Sequence, residues 1–422
     1  MAQTRVTVFA LFLAALAAGA APTNDLKYVV IVTRHGVRAP TWTAEELNEY
    51  AAEPWPKWNV KPGELTEHGR LLIKLFGAYY RADFARQGLL SLTGCADANR
   101  VYVWADTGQR TLETGRVLAE SILPGCHLKI HSVPEDEPDP IFSPLGCHIG
   151  KPNRELALAA VMGRVGEHPE DLVNVYAPAL RELQRILEGS AKASKSLFDS
   201  PGSIIAGKGD NLVDVTGALR TGSTLTQNLL LEFTDGRKGH ELGWGRLNAG
   251  NLRQIMAIHT AYADLARRTP YLARVRGSNL LFHVLASLEQ AVTSSQAPGA
   301  MGPPDTRVLI LTGHDANLSN LSGMLGVNWL LPGYQPDDAP PGGALVFELR
   351  KRGQEQPRIR TYYTAQSLEQ MQDAKLLSLE SPPLRAPVFL PGCSRPGKDF
   401  ECTWGGFRAA VEAAIDHEFV KP

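Results

Sequence analysis

Few of the features that assign a chain to a specialised class occur in these 422 residues. Cysteine is scarce: five are too few for a small disulfide scaffold, and an odd count leaves at least one unpaired in a monomer. Neither sign of charge prevails, with 43 Lys and Arg against 44 Asp and Glu. No net field therefore favours nucleic acid or an anionic membrane, and any affinity for an anion has to come from locally clustered charge. Internal repeats are absent, and past the N-terminus no stretch reaches membrane-spanning length without charges or prolines. What is present suits a soluble protein with a sizeable core. Hydrophobic residues at 44% and charged residues at 21% exclude disorder, collagen-like repeats and a coiled coil. The length allows about two to three average domains.

The first residues read as an export signal rather than as part of the fold. Arg5 precedes the apolar run at 6–16, which is too short to span a bilayer, and Ala18-Gly19-Ala20 has the A-x-A form of a signal-peptidase site. Residues 1–20 are expected to be removed, leaving a soluble mature chain, periplasmic or secreted, that starts near Ala21 and has no membrane contact. Thiols oxidise in such compartments, so cysteines can pair there.

Residues 26–33 (LKYVVIVT) form a continuous apolar run rich in β-branched side chains, as in a strand buried on both faces. Residues 100–105 (RVYVWA) and 306–312 (TRVLILT) are two more, each followed by a helical pattern, at 107–122 and 317–325; residues 344–349 and 359–364 read as further strands. Alternating strands and helices imply an α/β domain. From 153 to about 273 apolar residues recur at helical spacing, as in Leu180, Leu183, Ile186 and Leu187, with a Gly/Ser-rich break at 196–209. The expected architecture is a large α/β domain with a mostly parallel central sheet flanked by helices, residues 21–42 with 66–150 and 274–422. A smaller α-helical domain, residues 43–65 with 151–273, is inserted in it. Residues 331–343 carry too much Pro and Gly for a helix or strand.

Three strand ends carry chemically competent residues. Ligands of open α/β sheets bind outside the carboxyl ends of the strands, so these clusters are expected to converge. The first is Arg34-His35-Gly36-Val37-Arg38-Ala39-Pro40. A bare Arg-His pair would read as surface charge. Two arginines flanking a histidine after a buried strand instead repel one another unless an anion joins them, and guanidinium groups offer bidentate donors to a tetrahedral phosphate. Gly36 is expected to allow close approach of backbone to ligand, and His35 is the nucleophile of the cluster. The second is Asp106-Thr107-Gly108-Gln109-Arg110-Thr111, which puts Arg110 in the first turn of a helix, where the macrodipole disfavours a cation and a bound phosphate would offset the cost. The third, Gly313-His314-Asp315, supplies a further phosphate donor and a carboxyl able to protonate a leaving oxygen.

These strings resemble the histidine acid phosphatases, branch 2 of the histidine phosphatase superfamily. Leu65-Thr66-x-x-Gly69, Pro138-Asp139-Pro140, Gly243-Trp244-Gly245-Arg246, Asn328-Trp329 and Pro340-Pro341-Gly342-Gly343 are similar to the bacterial periplasmic phytase and acid phosphatase group, so the resemblance extends over nearly all the mature chain. It implies an α/β domain with an α-helical domain, the active site in the cleft between them, and a two-step hydrolysis of small phosphomonoesters, phytate among the candidates, without metal or cofactor. His35 would become phosphohistidine. Arg34, Arg38, Arg110 and His314 would hold the non-bridging oxygens, with Thr41 also at the substrate, and Asp315, kept protonated by the adjacent phosphate dianion and an acidic medium, would protonate the leaving group. An acidic optimum follows. The resemblance further implies the disulfides Cys95–Cys126 and Cys393–Cys402, with Cys147 single, and a monomer with no nucleic-acid partner.

Departures from the group bear on substrate. Ala316 stands where Thr is usual, Trp42 where a basic residue is common, and Gln227 where an acid is frequent. Trp42 is expected to favour an apolar or aromatic leaving group, and Gly36 speaks against the glucose-1-phosphatase subgroup. Two other readings share the arginines: a phosphoglycerate-mutase-like phosphotransferase and a non-catalytic inositol-phosphate-binding protein. The export signal, the helical insertion and Asp315 oppose the first, and the joint presence of His35 and Asp315 opposes the second. Cys126, His127, His131, Cys147 and His148 fit no tetrahedral zinc spacing. The sequons at Asn317 and Asn320 read as helix residues, Trp55, Trp58 and Trp244 as packing, and 135–139 as a solvated acidic loop.

Overall fold

A computed structural model describes residues 25–135, 137–166, 168–199 and 202–422; the export signal read at 1–20 lies outside them. The strands are β1 (Leu26–Arg34), β2 (Val101–Ala105), β3 (Ile130–His131), β4 (Ile204–Ala206), β5 (Val213–Val215), β6 (Val308–Gly313), β7 (Ala344–Arg350), β8 (Arg358–Ala365), β9 (Leu384–Pro387) and β10 (Cys402–Thr403). The helices are α1 (Ala44–Asn48), α2 (Glu67–Arg86), α3 (Gln109–Ile122), α4 (Arg154–Val165), α5 (Asp171–Val175) and α6 (Ala177–Glu188). They continue as α7 (Ala218–Thr234), α8 (Ala249–Ala266), α9 (Pro270–Thr293), α10 (Asp315–Leu325), α11 (Leu368–Gln372) and α12 (Trp404–Ala414).

The main sheet runs β10-β8-β7-β1-β6-β2-β3, with β9 on β8. It is mixed rather than mostly parallel. β1, β2, β3 and β6 pair in parallel, whereas β7 to β10 pair antiparallel with their neighbours. The physical reason is loop length: only residues 351–357 join β7 to β8, enough for a hairpin but not for the crossover a parallel pair needs. Apolar runs alone do not carry that direction.

β1 is apolar throughout because both its faces are covered. Tyr28, Val30 and Val32 join one core with Leu318 and Leu321 of α10, while Val29 and Ile31 join a second with Ile73 and Phe76 of α2 and Val117 of α3. Beside the sheet lies the helical layer. The stripe Leu180, Leu183, Ile186 and Leu187 on α6 is wholly buried in the first core, along with Leu225 and Leu229 of α7. The Gly/Ser-rich break at 196–209 holds β4, which pairs antiparallel with β5 just beyond it, a pairing its composition hid. α9 begins at Pro270 and crosses the expected boundary at 273 without interruption.

Cys95–Cys126 and Cys393–Cys402 are disulfides, and Cys147 is unpaired among the described residues. The acidic loop is not simply solvated: Asp139 is fully buried, accepting from Trp104 Nε1 at 2.7 Å and Ile141 N at 2.8 Å, and burial pushes it up to about 6. No helix among the described residues is long and apolar enough to cross a membrane.

Candidate active site

Strand register brings the three clusters together. Arg34 pairs with Gly313 and Ala105 with Thr312, so residues 34–38, 106–110 and 313–315 leave the same edge of the parallel half. Backbone bonds tie the loops beyond: His35 N donates to Gly313 O at 3.0 Å, Asp106 N to Thr312 O at 3.0 Å, and Gly342 N to His35 O at 3.0 Å. The Pro- and Gly-rich segment 331–343 is thus a clamp on the first cluster. Thr66 caps α2 by accepting from Gly69 N at 2.9 Å, and Gly69 is required because a Cβ there would collide with Val37 O. Gly36 serves packing instead of ligand approach: a Cβ would stand 2.9 Å from Ile73 Cγ1 and 3.0 Å from Leu65 Cδ1.

A cleft of about 430 Å³ opens on this edge, lined by His35, Arg38, Arg110, His314 and Asp315, with Arg276 on its wall. His35 Nδ1 lies 2.8 Å from Gly36 O. A carbonyl only accepts, so Nδ1 carries the proton and the lone pair is left on Nε2. Burial, then the charges of Arg34, His314, Arg38 and Arg110, hold His35 well below the usual imidazole range, so it stays neutral in acid. His314 is pinned by Asp106 Oδ2, 2.7 Å from Nε2, which leaves Nδ1 for a ligand.

The arginines are not equivalent. Arg34 is only 1% exposed and does not line the cleft; its two Nη groups donate to Ala339 O at 2.6 Å and Gln227 Oε1 at 2.8 Å. It places its charge beside His35, with Nε left without a partner. Arg38 gives one Nη1 bond to Ala39 O at 2.7 Å, and burial with the Arg34 and Arg110 charges brings it down to about 9, still cationic in acid. The Nε atoms of all three are buried without a hydrogen-bond partner, and none forms an ion pair among the described residues. Buried cations in that condition are poised for an anion.

Asp315 is the carboxyl expected to be protonated beside a phosphate dianion. Burial raises its pKa, but Arg267, Arg34 and His259 outweigh that and hold the carboxyl well below the carboxylate range. Arg267 Nη1 is 2.7 Å and His259 Nε2 3.7 Å from Oδ2. These contacts favour the charged form of the carboxyl, the preference that a neighbouring phosphate dianion would oppose. Arg267 and His259 were missed in the sequence because an Arg at a helix C-terminus reads as dipole complement and a lone His in an apolar helix as core. Asp106 lay inside a recognised cluster but had no assigned role, and Arg276 had no local signal.

Thr41 is exposed and does not line the cleft, although a Cβ at Gly63 would stand 3.5 Å from both Thr41 Cγ2 and Arg110 Nη1. Trp42 packs on Tyr50, ring centroids 6.1 Å apart, and is not a cleft wall. Asn317 is buried in α10, donating through Nδ2 to Phe142 O at 3.0 Å. Trp55 and Trp244 meet edge to face at 5.0 Å, in the core.

A sequence profile for the histidine phosphatase superfamily (branch 2) matches residues 25–164 and 220–364. The chain is 36% identical over 406 residues to phytase AppA of Escherichia coli K12, covering 93% of each protein. It is 25% identical over 402 residues to a glucose-1-phosphatase of Providencia rettgeri, covering 93% of this chain and 92% of that one. Among solved structures, Hafnia alvei phytase in complex with myo-inositol hexakis sulphate superposes with TM-score 0.85 at 34% identity, over 94% of this chain and 99% of that one. The phytase of Citrobacter braakii does so with TM-score 0.86 at 33% identity, over 94% and 100%.

Proposed function

The chain belongs to the histidine phosphatase superfamily, branch 2, and is a phosphomonoester hydrolase of the acid phosphatase and phytase type; from that premise we propose which residues perform each step. His35 Nε2 attacks phosphorus with its lone pair, a P–N bond forms, and the bond to the leaving oxygen breaks. Arg38, Arg110 and His314 Nδ1 hold the non-bridging oxygens, and Arg34 adds positive potential from within the protein. Asp315 gives its proton to the leaving alkoxide. In the second step the Asp315 carboxylate takes a proton from water as the water oxygen attacks phosphorus and the P–N bond breaks, which returns His35 neutral.

The observation that carries this reading is the Nδ1 contact of His35 with Gly36 O, which frees Nε2 in a cleft lined by unpaired arginines. The proton on Asp315 must arrive with substrate, since a phosphate dianion opposes the arginines that keep the carboxyl ionised. Activity is therefore expected in acid: His35 resists protonation there, and Asp315 loses its proton as pH rises. Phytate is a fitting substrate because Arg38, Arg110 and Arg276 all line the cleft. The fold position of 1–24 remains outside the described residues, and export to a periplasm or medium is proposed from the signal alone.

Alkali-quenched labelling with ³²P-phosphomonoester should give a label that survives base and is lost in acid, as a phosphoramidate would. His35→Ala should abolish the label and lower kcat by at least about 10³-fold. Phosphatase activity surviving in that variant would overturn the nucleophile assignment.

A further inference from the structure

The side chain assigned to proton donation is itself held by another charge. Asp315 Oδ2 is 2.7 Å from Arg267 Nη1 and 3.7 Å from His259 Nε2, while Oδ1 accepts from Ala316 N at 3.0 Å. Both partners belong to one helix, His259 within α8 and Arg267 as its C-cap. His259 is fixed in turn by Ser223 of α7, whose Oγ lies 2.9 Å from Nδ1. The carboxyl also feels Arg34 of β1, Arg38 of the loop after it and Arg110 of α3, together with Asp338 and Tyr363. Arg267 is set apart from these cations by direct contact. Its Nη1 is engaged by the Asp315 carboxyl.

We propose that Arg267 is a positioning residue for proton transfer: its contact with Asp315 Oδ2 confines the proton-donating form of that carboxyl to acidic solution, then stabilises the carboxylate left when the proton departs. The proposal rests on Asp315 being the donor. Its logic is that one contact has opposite effects on two measurable quantities. A cation beside a carboxyl opposes loading of the proton, and for the same reason favours its release to the leaving oxygen. The proton balance is closed, since Asp315 returns to the charged pair with Arg267 after the first step and regains a proton from water in the second. An alkoxide needs that proton to leave. A nitrophenolate needs it far less.

The experiment compares wild type, Arg267→Gln and Arg267→Lys on an alkyl phosphate and on p-nitrophenyl phosphate across pH, with thermal unfolding to control for folding. Arg267→Gln should move the alkaline edge of alkyl phosphate hydrolysis upward by about one pH unit, the low end of what an adjacent opposite charge produces. Its acid-plateau kcat should fall about 10-fold on the alkyl ester, a fraction of the roughly 10²–10⁴ of a positioned acid, and by less on the aryl ester. Arg267→Lys should return the edge toward wild type. An unmoved edge, or equal plateau losses on both esters, would overturn the proposal. Asp315→Asn separates the two levels. If it hydrolyses the alkyl ester as wild type does, the donor assignment itself falls; if it is inactive and Arg267→Gln leaves the edge in place, only the role of Arg267 falls.

Discussion

The two halves of the main sheet both bury charge and use it in opposite ways. At the carboxyl ends of β1, β2 and β6, Arg34, Arg38 and Arg110 converge with buried Nε atoms that have no partner. On the antiparallel half, Glu348 of β7 is fully buried yet surrounded by cations: Arg350 Nε at 3.0 Å, Arg385 Nη2 at 3.8 Å and Arg360 Nη1 at 3.9 Å. Arg350 also reaches Asp25 at 2.6 Å, and Arg360 reaches Asp399 at 2.9 Å and Glu401 at 3.1 Å. In the second network every charge faces an opposite one within the protein, although Arg360 Nε and Glu348 Oε1 keep no hydrogen-bond partner, so it is architecture. The first has an excess of positive charge that an outside anion would complete, because its arginines keep their protons in acid. Unbalanced buried charge, more than charge itself, distinguishes the functional end.

If that contrast is right, substitutions should separate activity from stability. Arg110→Ala should lower kcat/KM on any phosphomonoester by about 10²–10³-fold, the cost of losing one preorganised donor, with Tm unchanged or raised because a buried like charge is gone. Steady-state kinetics and calorimetry on one preparation check both halves of that statement. Glu348→Gln should do the reverse, leaving kcat near wild type while costing about 3 kcal/mol in denaturant unfolding, since it strands cations built to share one carboxylate. A loss of activity matching that of Arg110→Ala would erase the distinction between the two halves.

A carboxyl isolated away from the cleft gives a finer test. Glu232 of α7 is buried, with Oε2 accepting from Gly243 N at 3.0 Å and Oε1 unpartnered, and burial pushes it up to about 8. A folded-state pKa above the unfolded one means the contribution to stability is full below about 4.5 and lost as pH rises through about 8. Glu232→Gln should therefore flatten the fall of stability between pH 5 and 8, by roughly 3 kcal/mol relative to wild type. An unchanged pH profile of unfolding would show that this carboxyl is not held neutral.

The readable part of the molecule was local. Runs of β-branched residues located β1, β2, β6, β7 and β8 within a residue or two, because strands covered on both faces must be apolar throughout. The strings at 34–40, 106–111 and 313–315 stood out because their charges make poor sense at buried strand ends without a ligand. Other features eluded reading where a distant partner decides the outcome. Asp139 looked solvated in an acidic stretch, yet Trp104 Nε1 pairs with it across the sheet edge. Gly36 looked like room for a ligand, and Ile73 of α2 fills that room. β4 and β5 are three residues each, too short to outweigh the Gly and Ser around them.

What the sequence alone marked out was the candidate reactive groups and the strands that carry them, because hydrophobic period and residue chemistry are properties of neighbours in the chain. Tertiary structure decided the rest: which half of the sheet runs antiparallel, that Arg34 turns inward to Gln227, and that Arg267, 48 residues before Asp315, closes on its carboxylate. Protonation state follows from such contacts, since the energy of a charge depends on what lies within a few ångströms of it in space, and that distance exists only once the chain has folded.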